Sequence, residues 1–129
     1  MASRGAARGV TAAFDRYLRP NGVRITQFTV LATLLLRGPT PIGALARHIG
    51  VERTTLTRNV ALLVEKGWAR DEFDPADARS HVISATPAGE AVVHGAFKDW
   101  RKAQQKVAAI LGASGVAAVK RASRLEFRA

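Results

Sequence analysis

Apolar residues recur along this chain with a helical period, lose it once, and then regain it. From about Ala6 to Leu18, Val10, Phe14, Tyr17 and Leu18 fall at i, i+4, i+7 and i+8, one stripe of a helix. Pro20-Asn21-Gly22 supplies turn chemistry after it. A second helix is predicted with Thr26 as N-cap, Ile25 and Val30 as a hydrophobic staple, and a stripe of Phe28, Leu31, Ala32 and Leu35. Arg37-Gly38-Pro39 closes it. Thr40-Pro41 then reads as an N-cap followed by proline at the first helical position, where a missing N–H costs nothing. Ile42, Leu45, Ala46 and Ile49 form the buried face of a short helix, and Gly50 turns the chain. The period resumes at Leu56, Val60, Leu63 and Val64 and stops at Gly67. Two short amphipathic helices joined through a glycine have the proportions of a helix-turn-helix.

Beyond Gly67 the period is lost. Trp68 to Phe73 and His81 to Ala85 are short β-compatible segments, and the Asp, Pro and small residues of 74–80 predict a long hairpin tip between them. Thr86-Pro87 repeats the cap-and-proline signal and opens a long helix. Its apolar positions are Val93, Phe97, Trp100, Val107 and Leu111, with Gln104 in the same row. Gly112 to Gly115 should break it, with Val116, Val119 and Leu125 on a final shorter helix. The expected architecture is mainly α with a small β component (α+β): a winged helix-turn-helix with flanking helices at both ends. One domain is expected over 1–129, its winged helix-turn-helix at 26–86 and its flanking helices at 1–25 and 87–129.

Composition narrows the partners. Twenty Lys and Arg oppose ten Asp and Glu, a formal charge of +10, so a polyanion is the default partner. The charge is uneven. Residues 1–36 and 37–70 each carry a net +4, 91–129 a net +6, but 71–90 a net −4, with Arg79 as the single cation among Asp71, Glu72, Asp74, Asp77 and Glu90. The chain has no cysteine, which excludes disulfide scaffolds, Cys-based zinc sites and thiol redox sensing. His48, His81 and His94 lack metal-ligand spacing, and neither a metal nor a cofactor is expected. No apolar run could span a bilayer and no signal-like segment opens the chain, so a cytoplasmic setting without membrane association is expected. A phosphate-binding glycine loop, a nucleophile elbow and a pocketed carboxylate pair are all missing, which argues against an enzyme.

Four stretches resemble the MarR family of bacterial transcriptional regulators. They are ITQFTVLATLL (Ile25 to Leu35), PIGALARHIGVERTTLTRNVALLVEKGWARDE (Pro41 to Glu72), the wing-like DPADARSHVISATPAGE (Asp74 to Glu90) with its Asp77-x-Arg79 pair, and terminal helices matching in length and apolar character. Glu52 departs from the pattern, standing as a weak cap where the family more often has Ser or Asp. With Leu56, Val60 and Leu63 buried, a 100° step places Thr54, Arg58, Ala61 and Glu65 on the opposite side of the reading helix, flanked by Thr55 and Thr57. Arg53, Thr54, Thr55, Thr57 and Arg58 then cluster at the end that such a helix inserts into a major groove. A solvated face would be the ordinary reading of those residues; the resemblance favours DNA contact. Arg47 and His48 lie near the turn and could contact phosphates, although a solvated face is at least as good a reading of them.

In the family the wing arginine enters the minor groove and the aspartate two residues earlier orients it, which the resemblance carries to Arg79 and Asp77. A narrow minor groove concentrates negative potential, so a lone guanidinium held by a carboxylate suits that role. The resemblance also implies a homodimer on double-stranded, palindromic operator DNA, a repressor, and release by a small aromatic or anionic effector. Phe14, Tyr17, Phe28 and Trp100 come from helices that would approach such an effector cleft, but they are first read as core. The competing reading is a winged helix used as a protein- or RNA-interaction module. An apolar outward helix face or one without arginine would favour that reading.

Overall fold

The computed structural model describes the backbone of residues 2–126 and the side chains of residues 8–112 other than Ala78. Helix α1 (Ala2–Leu18) passes through a 3-10 turn (Arg19–Asn21) to α2 (Ile25–Arg37). Strand β1 (Thr40–Pro41), α3 (Ile42–Ile49) and α4 (Arg53–Glu65) follow, then β2 (Ala69–Asp74), β3 (Asp77–Ala85) and α5 (Pro87–Glu126). The three antiparallel strands lie in the order β1-β3-β2. This is the mainly α winged helix-turn-helix expected.

The core is built around α2. Phe28, Val30, Leu31 and Leu34 are buried with Leu45 of α3, Leu56, Val60 and Leu63 of α4, and Ile83 of β3. Buried positions spread over a broad arc of α2, including Gln27, because other elements cover it from several sides. Each leucine buried in such a core contributes roughly 1.5–3 kcal/mol relative to exposure.

Two capping expectations change. Thr26 is not the cap of α2. Arg24 holds that position, the Gln27 side-chain oxygen accepts from its backbone N–H at 2.9 Å, and Asp15 Oδ1 of α1 accepts from Ile25 N–H at 2.7 Å. A carboxylate delivered by tertiary packing thus replaces the local threonine. Thr40 does not cap α3 either. It pairs with Ile83 as β1, its hydroxyl donates to Gly38 O at 2.8 Å, and the helix starts at Ile42 behind Pro41. Sheet pairing requires an extended backbone here, and proline is tolerated because β1 is an edge strand.

In α5 the buried row is Val93, Ala96 and Ala103 with Trp100 partly covered, whereas Phe97 is 46% exposed and Leu111 36%. The expected stripe was displaced because alanine carries little hydrophobic signal, yet small residues let α1 and α5 approach closely. Val64 is likewise 40% exposed at the end of α4. Gly112 does break the helix, at φ 70° and ψ 175°, after which helical backbone resumes. The expectations for Val116, Val119 and Leu125 concern side chains outside the described residues.

The start of α5 is fixed by a close approach. Thr86 Oγ1 accepts from Gly89 N–H at 3.1 Å, the cap predicted from the sequence, and donates to Gly67 O at 2.6 Å. Thr86 N–H donates to Trp68 O at 3.0 Å. A Cβ on Gly89 would stand 2.1 Å from that Trp68 oxygen, a backbone atom with no rotamer to escape into. Gly89→Ala should therefore destabilise the fold by about 1–3 kcal/mol through overpacking, read as a lower urea midpoint at unchanged slope. Gly95→Ala, which meets nothing within 4 Å, should stabilise by about 0.5–1 kcal/mol through helix propensity.

Candidate nucleic-acid interface

The turn between α3 and α4 is set by Gly50, left-handed at φ 85° and ψ 36°, whose N–H donates to Ala46 O at 2.8 Å. Val51 follows with its N–H on the same oxygen and its side chain buried, so α4 leaves the turn in a fixed direction. Glu52 occupies the N-cap without a side-chain cap bond. The helix therefore starts with amide groups that suit an anion and a dipole favouring negative charge.

The structure places Arg53, Thr54, Thr57 and Arg58 on the exposed surface of the first two turns of α4. Thr57 Oγ1 donates to Arg53 O at 2.8 Å, so its proton is used inside the helix and its methyl group and a lone pair face outward. Thr55 is a correction. It is 5% exposed and belongs to the buried face of α4 with Leu56, not to its outward surface. Rotation around the helix axis counted it as a flank residue, but the buried arc of α4 extends over that side. Arg47 and His48 are exposed at the end of α3.

The wing combines a regular ladder with an irregular tip. Pairing runs without interruption from Ala69 with Ala85 to Phe73 with His81, then shifts so that Asp74 pairs with Asp77. The strands thus extend beyond the expected limits, and Pro75-Ala76 is a tight turn rather than part of a long loop. The shift leaves Ala78, Arg79 and Ser80 without a partner on β2, which is a bulged segment. Asp74 Oδ1 accepts from Ala76 N–H at 2.9 Å, and Asp77 Oδ1 accepts from Arg79 N–H at 3.0 Å. Arg79 Nε also lies 4.0 Å from Asp77 Oδ1, while its side chain remains 97% exposed. Asp77 therefore shapes the backbone that carries Arg79 and lightly directs the guanidinium, leaving it open to a further acceptor.

Sequence reasoning overlooked one cluster. His81 Nδ1 lies 2.7 Å from Asp71 Oδ1, and the His81 ring meets Phe73 at 4.7 Å between centroids. Phe73 is directly opposite His81 and Asp71 is its diagonal neighbour. The alternation of Asp71 and Phe73 was a usable signal, but only with the hairpin register in hand. Among the aromatic residues considered for an effector cleft, Phe28 is buried and stacks on Trp100 at 5.5 Å.

A glycine-turned helix pair, an arginine-tipped hairpin and a packed pair of terminal helices define a winged helix-turn-helix protein. The MarR family model matches residues 21–80. The chain is similar to the DNA-bound structure of the transcriptional regulator MosR of Mycobacterium tuberculosis, with 38% identity and a TM-score of 0.82 over 95% of this chain and 92% of that one. A transcriptional regulator of Pseudomonas aeruginosa, itself described as probable, superposes with a TM-score of 0.78 at 26% identity, over 91% of this chain and 87% of its own. The multiple antibiotic resistance protein MarR of Salmonella typhimurium is 32% identical over 78 residues, 60% of this chain and 54% of that protein. The chain thus spans about half the length of that curated relative. It belongs to the MarR family, and the two solved structures named above are of transcriptional regulators, one of them probable.

Adjacent residues of α4 should respond oppositely to the same change. Thr55→Asp buries a carboxylate and should cost about 3 kcal/mol or more. Thr54→Asp puts the charge on the exposed first turn and should be neutral or stabilising by a few tenths of a kcal/mol. Chemical denaturation of the two variants checks both signs.

Proposed function

We propose that this protein is a sequence-specific, DNA-binding transcriptional regulator that acts as a homodimer on a palindromic operator. The observation that carries the proposal is the pairing of an exposed Arg53, Thr54, Thr57 and Arg58 surface on α4 with an outward Arg79 held by Asp77 on the wing. Likeness to a DNA-bound regulator over nearly the whole chain supports it. Arg58 and Arg53 supply guanidinium groups that can grip a guanine edge or phosphates in the major groove. Thr54 and Thr57 offer a hydroxyl and a methyl group respectively to bases or backbone. Arg79 enters the adjacent minor groove, where its charge is favoured. Asp71, Glu72 and Asp74 keep the rest of the wing from settling broadly on phosphate, so contact is concentrated.

Dimerisation uses α1 and α5, whose partner-facing residues include the exposed apolar Phe97, Ile110 and Leu111. A two-fold axis then sets the reading helices about one helical turn apart on DNA. The regulator is a repressor in this reading, released by a small aromatic or anionic effector bound between the terminal helices and the reading lobe.

The decisive experiment is selection of bound genomic fragments followed by footprinting and titration. A palindromic footprint is expected, with affinity falling steeply as salt rises. Arg58→Ala should cost about 1–3 kcal/mol and relax specificity at one base position. Arg79→Ala should weaken binding while leaving the thermal midpoint unchanged. Salt-independent binding, or full-strength binding by the double variant, would refute the proposal.

A further inference from the structure

His81 occupies a place that the reading of Arg58 and Arg79 leaves unassigned. In the regular part of the ladder, alternate residues share a face, so His81, Asp71 and Phe73 lie on the same face as the buried Ile83 and Ala69. That face is the one on which the helices, α4 among them, pack against the sheet. His81 is the last regularly paired residue before the bulge carrying Arg79. Two residues of extended chain reach at most about 7 Å, whereas the minor groove is about 6 Å wide. With Arg79 in that groove and α4 in the neighbouring major groove, the molecule straddles one phosphodiester strand. A side chain just behind Arg79 on the α4 side stands over that strand.

We propose that His81, oriented by Asp71 and Phe73, is a phosphate contact of the wing and engages in its protonated form. The inference rests on the DNA-binding reading above and adds a contact and a pH dependence to it. The 2.7 Å approach of Nδ1 to Asp71 Oδ1 makes Nδ1 the donor to the carboxylate and leaves Nε2 for an outside partner. The Phe73 ring at 4.7 Å restrains the imidazole from the other side. A neutral ring presents a lone pair at Nε2, which a phosphate oxygen repels. A protonated ring presents an N–H donor there and also neutralises Asp71, a carboxylate that would otherwise repel the strand.

The surrounding charges are few. From β2, Asp71 and Phe73 face His81, and Glu72 projects from the opposite face. Arg79 lies two residues along β3, and β1 contributes Thr40 and Pro41, neither of them charged. The helices packed on β3 meet it through apolar core residues. Among the described residues, Asp71 is the only ionic partner recorded for His81. Because the complex favours the protonated ring, DNA binding takes up a proton. Affinity is then expected to fall as pH rises.

The test is fluorescence anisotropy on a footprinted operator duplex at pH 5.8 and pH 8.0, matched in ionic strength, with the other histidines, His48 and His94, left in place. The wild-type chain should bind on the order of tenfold tighter at the lower pH, with a salt slope steeper by about one. His81→Gln should bind at both values as the wild type does at pH 8.0. His81→Arg, permanently charged, should bind tightly at both. Wild-type pH dependence that survives in His81→Gln, or a pH-independent wild type, overturns the inference while leaving the DNA-binding reading intact. Full binding by the Arg58→Ala, Arg79→Ala double variant overturns that reading, and the inference with it.

Discussion

Helix α4, the wing and the long helix α5 are held in mutual orientation around Thr86. Its hydroxyl joins Gly67, just past the end of α4, to Gly89 in the first turn of α5. Its N–H ties the end of β3 to Trp68, just before β2. Both strands of the wing are rooted here, and the missing side chain of Gly89 lets the two backbones meet. If this junction loosened, the hairpin would lose its angle to α4 and the terminal helices their angle to both. The exposed Arg53, Arg58 and Arg79 would then lose their fixed spacing. Lys66, 5.0 Å over the Trp68 ring, shields the outer side of the same corner.

A second tie joins the terminal helices to the reading lobe. Asp15 of α1 accepts from the first amide of α2 and lies 3.7 Å from the Arg24 guanidinium, while Asn21 donates to Asp99 of α5 at 2.9 Å. The Phe28, Trp100 and Phe97 rings stack in series from α2 across α5. Polar caps and aromatic faces thus bind α1, α2 and α5 into one body, with α2 shared between the terminal helices and the reading lobe.

Much of this was legible in the chain. The periodicity located every long helix, Gly50 and Gly67 marked the turns, and Thr86 was identified as a cap. Where reading failed, a partner distant in sequence had decided the outcome. Thr26 lost its capping role to Asp15, and Thr40 was drawn into a strand by Ile83. Thr55 is buried by tertiary packing, which rotation about the axis of α4 cannot reveal. Ala96 and Ala103 were passed over because close packing of α1 on α5 rewards smallness, which an apolar count does not register. Arg79 stood out at once as the lone cation of an acidic segment, but its lack of a partner on β2 depends on a register shift between two strands. The Asp71 and His81 contact depends on the same register, and so was invisible.

The break at Gly112 has a mechanical consequence. From Pro87 to that glycine, α5 is an uninterrupted rod of about 38 Å at 1.5 Å per residue. One end is clamped at the root of the wing, and the other ends at a residue whose backbone releases helical geometry. Because Asn21 and Phe28 hold its middle through Asp99 and Trp100, any tilt of this rod carries α1, α2 and the wing root with it. Tilting it by about 5° about the Thr86 end displaces its far end by about 3 Å, while the wing root turns by the same angle with little travel. Small movements of the wing root and large movements of the far end of α5 are therefore the same motion, geared by helix length.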